Sequence, residues 1–418
     1  MSAPVRLPAP RGSTLATLGS DTAQISRVPY LPGLDGMRAI AVVAVLIYHA
    51  NSDWLKGGFL GVEVFFVISG YLITLLLVAE DERTGRVDMK QFWARRARRL
   101  LPALFTMMVL LTVWTALFER AALGKLRGDV LAGVFYVSNG SQIWTGAGYT
   151  DANDFAPLRH LWSLAVEEQF YILWPLVMVV LLRRTGSRRV ANRAGWLFGA
   201  SLAVTALMAF LYYPGPVGTP EVTPDAYWEI LGRPISILDS LYLSTITRAG
   251  GLLLGAGFAL MWRPRAVMRG PLADKGRVLD VLALIGLVVL LLMTVYVGLI
   301  TPEGGDPFLF QGGFMVAGVA TLMMIAAVTH SGTWAGVALS NPVLVYIGTR
   351  SYGLYLYSWP IYQIIRGSAG NKLTLNEFLV ALTLTVFVTE LSYRFIETPI
   401  RTGALSRMWY GDGGYRSR

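Results

Sequence analysis

Phe59-Leu-Gly-Val-Glu63-Val-Phe-Phe-Val-Ile-Ser-Gly-Tyr-Leu-Ile-Thr-Leu-Leu-Leu-Val-Ala79 decides the fold: an apolar run carrying one charge, Glu63. At the α-helical rise such a run is about 30 Å long, the thickness of a bilayer's hydrocarbon core. Similar runs recur on both sides of it, at Leu34–Asp53, Leu101–Leu117, His160–Leu182, Gly195–Tyr213, Thr247–Trp262, Val278–Ile300, Gly312–Thr329, Val343–Ile365 and Leu375–Ile396. The expected fold is therefore all-α, a polytopic integral membrane protein with about ten transmembrane helices.

Composition agrees. The 418 residues are 54% hydrophobic and 15% charged, where a soluble domain carries about 25% charged residues, so the apolar excess must face lipid. The chain has no Cys, which excludes disulfides, thiolate metal sites and acyl transfer through a protein thioester. Its net charge of +10 sits in short clusters between apolar runs, the pattern of loops at an anionic leaflet and not of a nucleic-acid binder.

The charge clusters also set the topology. Asp129–Asn139 is apolar but too short to span, and counting it as a crossing would put the basic run Arg183–Arg193 outside. Read as a re-entrant or interfacial segment, it leaves Arg95–Arg99, Arg183–Arg193 and Arg263–Arg277 all inside and both termini cytoplasmic, at the plasma or inner membrane. The acidic loops Pro214–Ser240 and Thr301–Gln311 are then external. Residues 1–30 read as a disordered basic cytoplasmic tail, 31–401 as the transmembrane domain and 402–418 as a short cytoplasmic tail, a point where a longer chain could have been cut.

Ionisable residues inside spans are costly, which makes them functional candidates. In Gly36-Met-Arg38-Ala-Ile-Ala-Val-Val-Ala-Val-Leu-Ile-Tyr-His49, Arg38 and His49 are about three turns apart on one helix face, with His49 about 16 Å nearer the outer leaflet. Glu63 enters from the same outer boundary, where it can act on His49 or simply favour the helix N-terminus. His160-Leu-Trp162-Ser163-Leu-Ala-Val-Glu167-Glu168-Gln-Phe-Tyr171 adds a second His and two adjacent carboxylates, only one of which is expected to point squarely into a shared cavity. These residues are expected at similar depth. On the inner side, Arg95, Arg98 and Arg99 share a face at i, i+3 and i+4, a spacing suited either to phosphates or to lipid headgroups. No HExxH, Gly-x-Ser-x-Gly, Walker or dinucleotide motif occurs, and three His are too few for a multi-His metal site, so no metal is expected.

From Tyr30 to Arg401 the motifs, in order, resemble the acyltransferase-3 family of membrane O-acyltransferases, the type that acetylates bacterial surface polysaccharides and lipids. They are Leu34-Asp-Gly-Met-Arg38 with His49 following, Gly61-Val-Glu63 through Ser69-Gly70, Phe92-Trp-Ala-Arg95 through Pro102, His160 through Tyr171, Ser351-Tyr-Gly-Leu-Tyr355-Leu356, and Phe395-Ile-Glu397-Thr-Pro399. The resemblance implies acyl-CoA, most simply acetyl-CoA, as donor and a hydroxyl of an envelope glycan or glycolipid as acceptor. It implies His49 as base, Arg38 as its required partner, Arg95, Arg98 and Arg99 on coenzyme A, and substrate contacts at His160, Trp162, Ser163, Tyr171, Tyr355 and Ser358. Relatives often carry His where this chain has Ser358, and many carry a C-terminal SGNH hydrolase-like domain that is not expected here.

The expected mechanism has His49, oriented by Glu63 or by Glu167 and Glu168, deprotonating the acceptor. Two rivals stand beside it: a proton-coupled transporter or flippase using the same residues, and a non-catalytic partner of a polysaccharide machine.

Overall fold

The structure, a computed structural model, describes residues 28–149, 155–185, 190–264, 271–367 and 371–403. Most of the two tails expected from the sequence, and parts of the basic loops at 183–193 and 263–277, lie outside the described residues.

Helix α1 (Pro32–Ala50) opens on a proline whose fixed φ and missing N–H suit a first helical position. A 3₁₀ turn at Gly58–Leu60 leads into α2 (Gly61–Thr84), which stops at Gly85, where φ is +72°. Asp88 caps α3 (Met89–Phe118), accepting from the Gln91 amide. The segment expected to be re-entrant breaks into α4 (Leu123–Val134) and α5 (Ser138–Thr145), with Tyr136 at φ +53° between them. Then come α6 (Leu161–Thr185), α7 (Ala194–Leu211), a hairpin of β1 (Tyr227–Ile230) and β2 (Arg233–Ser236), and α8 (Ile237–Leu243) with α9 (Thr245–Met261). The hairpin, within a stretch expected only as a loop, pairs Ile230 with Arg233 through a two-residue turn with φ positive at both Leu231 and Gly232.

Helix α10 (Gly276–Tyr296) is followed by the two-residue strands β3 (Ile300–Thr301) and β4 (Gly304–Gly305). A π-helical turn at Leu309–Gly313 leads into α11 (Phe314–Val328). The chain closes with α12 (Trp334–Leu339), α13 (Pro342–Thr349), α14 (Ser351–Arg366), α15 (Leu375–Ser392) and α16 (Thr398–Arg401).

Among the described residues nine helical segments are long and apolar enough to cross a membrane. The tenth expected span, Val343–Ile365, is broken at Arg350 into α13 and α14, and neither piece is that long alone. The protein is thus an all-α polytopic membrane protein. Its centre is α2, with 78% of its apolar window buried, against 22% for α10 and 17% for α7, whose outward faces carry residues such as Leu284, Leu291 and Phe210. Small residues allow the centre to close: a Cβ on Gly70 of α2 would lie 1.9 Å from the Leu252 carbonyl of α9, and one on Gly255 would lie 2.0 Å from that of Val67.

Candidate active site

Two chambers flank the α1–α2–α6–α14 core. The first, a basic chamber, is lined by Arg38, Ser69, Arg96, Arg99, Ser163, Glu167, Glu168, Tyr171 and Tyr355, with Tyr136 contributed by the break between α4 and α5. That break is held in place by Gln169, which donates to the Tyr136 carbonyl at 2.8 Å and to Asn139 at 3.0 Å. Arg38 pairs with Asp35 at 3.2 Å, one turn back on α1. Ser69 donates to Glu167, and the Tyr171 hydroxyl lies within hydrogen-bond reach of both Glu167 and Ser69 (2.7 Å). The Arg96 guanidinium lies over the Tyr171 ring, 3.9 Å from its centre.

The second chamber, at the His49 end of α1 and called outer after the topology expected from the sequence, is lined by Tyr48, His49, Tyr149, Arg159, Trp359, Arg366 and Lys372, among others. His49, 5% exposed on the last turn of α1, has its ring 4.7 Å from that of Trp359, and its Nδ1 has no hydrogen-bond partner among the described residues. Arg366, at the end of α14, donates from Nη1 to the His49 carbonyl at 2.9 Å and so fixes the end of α1.

Tyr355 lies close to both chambers. Tyr355 lines the basic chamber, and its ring centre is 6.0 Å from that of His49. Its hydroxyl bonds Ser163 at 2.7 Å and donates to the His160 carbonyl at 2.9 Å, holding the ring across the gap.

Several expected placements change. Glu63 does not reach His49: it forms a 2.8 Å ion pair with Arg248 of α9, both side chains 2% exposed, because its helix faces α9 at this point. Arg248 is itself stacked against aromatic rings, with its guanidinium 3.7 Å from the centre of Phe314. Glu167 and Glu168 do not line the chamber that holds His49 either. Both line the basic chamber, which wraps far enough around α6 to admit two adjacent residues. On α3 the chamber face carries Arg96 and Arg99; Arg95 turns instead to Glu80 at 3.3 Å and to Gln91, and Arg98 lines neither chamber.

Of the expected substrate contacts, Ser163, Tyr171 and Tyr355 line the basic chamber. His160, Trp162 and Ser358 line neither chamber. The ring Nε2 of His160 bonds the Leu356 carbonyl, Trp162 donates to the Tyr149 hydroxyl, and Ser358 bonds back to the Tyr355 carbonyl within its own helix.

Sequence reasoning missed Arg96, Arg248, Arg159 and Arg366. Arg248 carried a readable signal, being an arginine just inside an expected span. Arg366 had none, since an arginine ending an apolar run looks like an ordinary boundary residue. Arg38, Arg96 and Arg99 are the side chains that could hold a phosphorylated donor, and among the described residues no three His, Asp or Glu converge as metal ligands would.

Comparison with known proteins gives one family, described as an acyltransferase domain, matching residues 31–394. The O-acetyltransferase OatA of Staphylococcus aureus strain NCTC 8325 is 38% identical over 373 residues, which is 89% of this chain and 57% of that protein. A further protein of strain COL, provisionally named an O-acetyltransferase, is 38% identical over 377 residues, 90% of this chain and 58% of its own length. The chain thus spans little more than half the length of these relatives. No solved structure matches it.

Proposed function

This chain belongs to the acyltransferase-3 family, and from that premise we propose that it moves an acetyl group from cytoplasmic acetyl-CoA to a hydroxyl of an envelope glycan or glycolipid at the outer face of the plasma or inner membrane. The observation that carries the proposal is the closeness of the two chambers at Tyr355. That side chain lines the chamber with three arginines, and its ring lies 6.0 Å from the buried histidine of the other chamber.

In this reading the phosphates of coenzyme A lie against Arg38, Arg96 and Arg99, whose guanidinium forks match phosphate geometry. The flexible arm carries the thioester to Tyr355, and displacement of that ring opens the way to His49. The acceptor enters from the outer chamber. Neutral His49 takes the hydroxyl proton as the oxygen attacks the thioester carbonyl. Collapse of the tetrahedral intermediate breaks the C–S bond, and the sulfur leaves with the proton from His49, giving an ester and free CoA. The carboxylate of Glu167, held by two hydroxyls, is too firmly engaged to orient the imidazole and instead balances the arginines around it. The reaction needs no metal.

Inverted membrane vesicles given radiolabelled acetyl-CoA test this. Label should enter a glycan or lipid fraction with the intact chain and fall about 10²–10⁴-fold with His49→Ala at matched protein level, the usual weight of a general base. Equal labelling by both proteins removes His49 from the reaction. If acetyl-, succinyl- and longer acyl-CoA all fail while the vesicles move protons, the transporter reading takes its place.

A further inference from the structure

The outer chamber is cationic beyond what holding His49 requires. Its charged lining comprises Arg159, Arg366, Lys56 and Lys372 against Asp53 and Asp306. Asp53 is taken by Lys372 at 2.7 Å, and Asp306 accepts the Leu309 amide at 3.1 Å.

Arg366 is the informative member. Only Nη1 has structural work, donating to the carbonyls of His49 (2.9 Å) and Asn371 (3.3 Å). Nε and Nη2 are buried without a hydrogen-bond partner among the described residues. These two nitrogens form the side-on fork with which a guanidinium grips both oxygens of a carboxylate or phosphate. Buried donors are nearly always bonded, so a closed, unpartnered fork gains when an oxyanion reaches it. The guanidinium carbon lies over Trp359, 4.6 Å from the ring centre, and both residues line the chamber. His49 contacts the same indole at 4.7 Å. The base and the fork are therefore one indole apart, a spacing that a single sugar bearing both a hydroxyl and an acidic group can bridge.

We infer that the outer chamber recognises an anionic acceptor, a sugar carrying a carboxylate or phosphate that docks on Arg366 and turns its hydroxyl to His49. The inference rests on the acyl-transfer reading for the use of that hydroxyl, while the anion seat can be measured without it.

The purified full chain in nanodiscs is titrated with methyl β-D-glucuronide, with glucose 1-phosphate and with the neutral methyl β-D-glucoside. One charged probe should bind about tenfold or more tighter than the glucoside, and the tighter of the two assigns the acidic group. Arg366→Gln should cut that preference to under about twofold while CoA binding, a measure of correct folding, persists. If that variant does not fold, Arg366→Lys decides: it keeps the charge without the fork, and a preference lowered about fivefold supports the seat while an unchanged one overturns it. Equal binding of charged and neutral probes, no binding of any probe to a chain that still binds CoA, or a preference that survives Arg366→Gln also overturns it. A chain that transfers label through His49 but shows no charge preference loses the seat and keeps the acyl-transfer reading. A charge preference that Arg366→Gln abolishes, in a chain that transfers no acyl group, does the opposite.

Discussion

The basic chamber holds much of its charge in balanced sets, whereas the outer chamber gathers cations and aromatic rings around atoms that lack partners. In the first, Arg38 meets Asp35, Glu167 meets two hydroxyls, and Arg96 and Arg99 share the space with Glu168. In the second, His49 Nδ1 and the Arg366 fork have nothing to bond among the described residues. The difference fits the tasks proposed for them. A chamber that binds and then releases a polyanionic donor is served by arginines already screened by carboxylates, while a chamber that must choose an acceptor gains selectivity from groups that only the right ligand satisfies.

The contrast can be broken most decisively at His49. His49→Gln, which preserves polarity and approximate size, should lower acetyl transfer by about 10²–10⁴-fold while CoA binding to the basic chamber stays intact, measured by labelling and by titration on the same preparation. If CoA affinity falls in parallel, the chambers are not separate.

Glu63→Gln tests a part that belongs to neither side. It leaves Arg248 buried without its counter-charge, which should cost about 3–5 kcal/mol and appear as a large drop in the unfolding temperature in detergent. Replacing both residues together with apolar ones of similar volume should recover much of that loss. Transfer abolished at an unchanged unfolding temperature would return Glu63 to the catalytic machinery.

On the donor side, Arg96→Ala should raise the KM for acetyl-CoA about tenfold, the loss of one charged hydrogen bond, with a smaller change in kcat. Arg95→Ala, one position away but turned to Glu80, should change KM less than about twofold. Similar effects from the two would mean that the basic face of α3 acts as a diffuse field and not as a formed site.

A smaller loss than at Arg96 is expected at Tyr355. Tyr355→Phe keeps the ring and removes the bonds to Ser163 and the His160 carbonyl, a loss of about 1 kcal/mol that should change kcat/KM by less than about tenfold. Tyr355→Ala should instead admit water between the chambers and raise hydrolysis of acetyl-CoA without acceptor, read as free CoA released.

The sequence by itself determined what the lipid solvent dictates. Apolar runs of membrane-spanning length must be helices, and a strict helical repeat puts Arg38 and His49 at opposite ends of one face, so their separation along α1 follows from spacing alone. The motif order likewise carried the family. Tertiary structure alone decided who partners whom. Glu63 looked like a neighbour of His49 because both lie near one helix boundary, yet Arg248, 185 residues away, holds it. Arg96, not Arg95, faces the basic chamber and lies over Tyr171, a choice set by how α3 packs among distant elements, since four arginines within five positions give no phase of their own. Arg366 reaches His49 across 317 residues. Helix formation and depth in the bilayer are local properties that depend on composition and periodicity; rotation about each helix axis and the choice of buried partner depend on close packing between distant segments, which no single stretch of sequence contains.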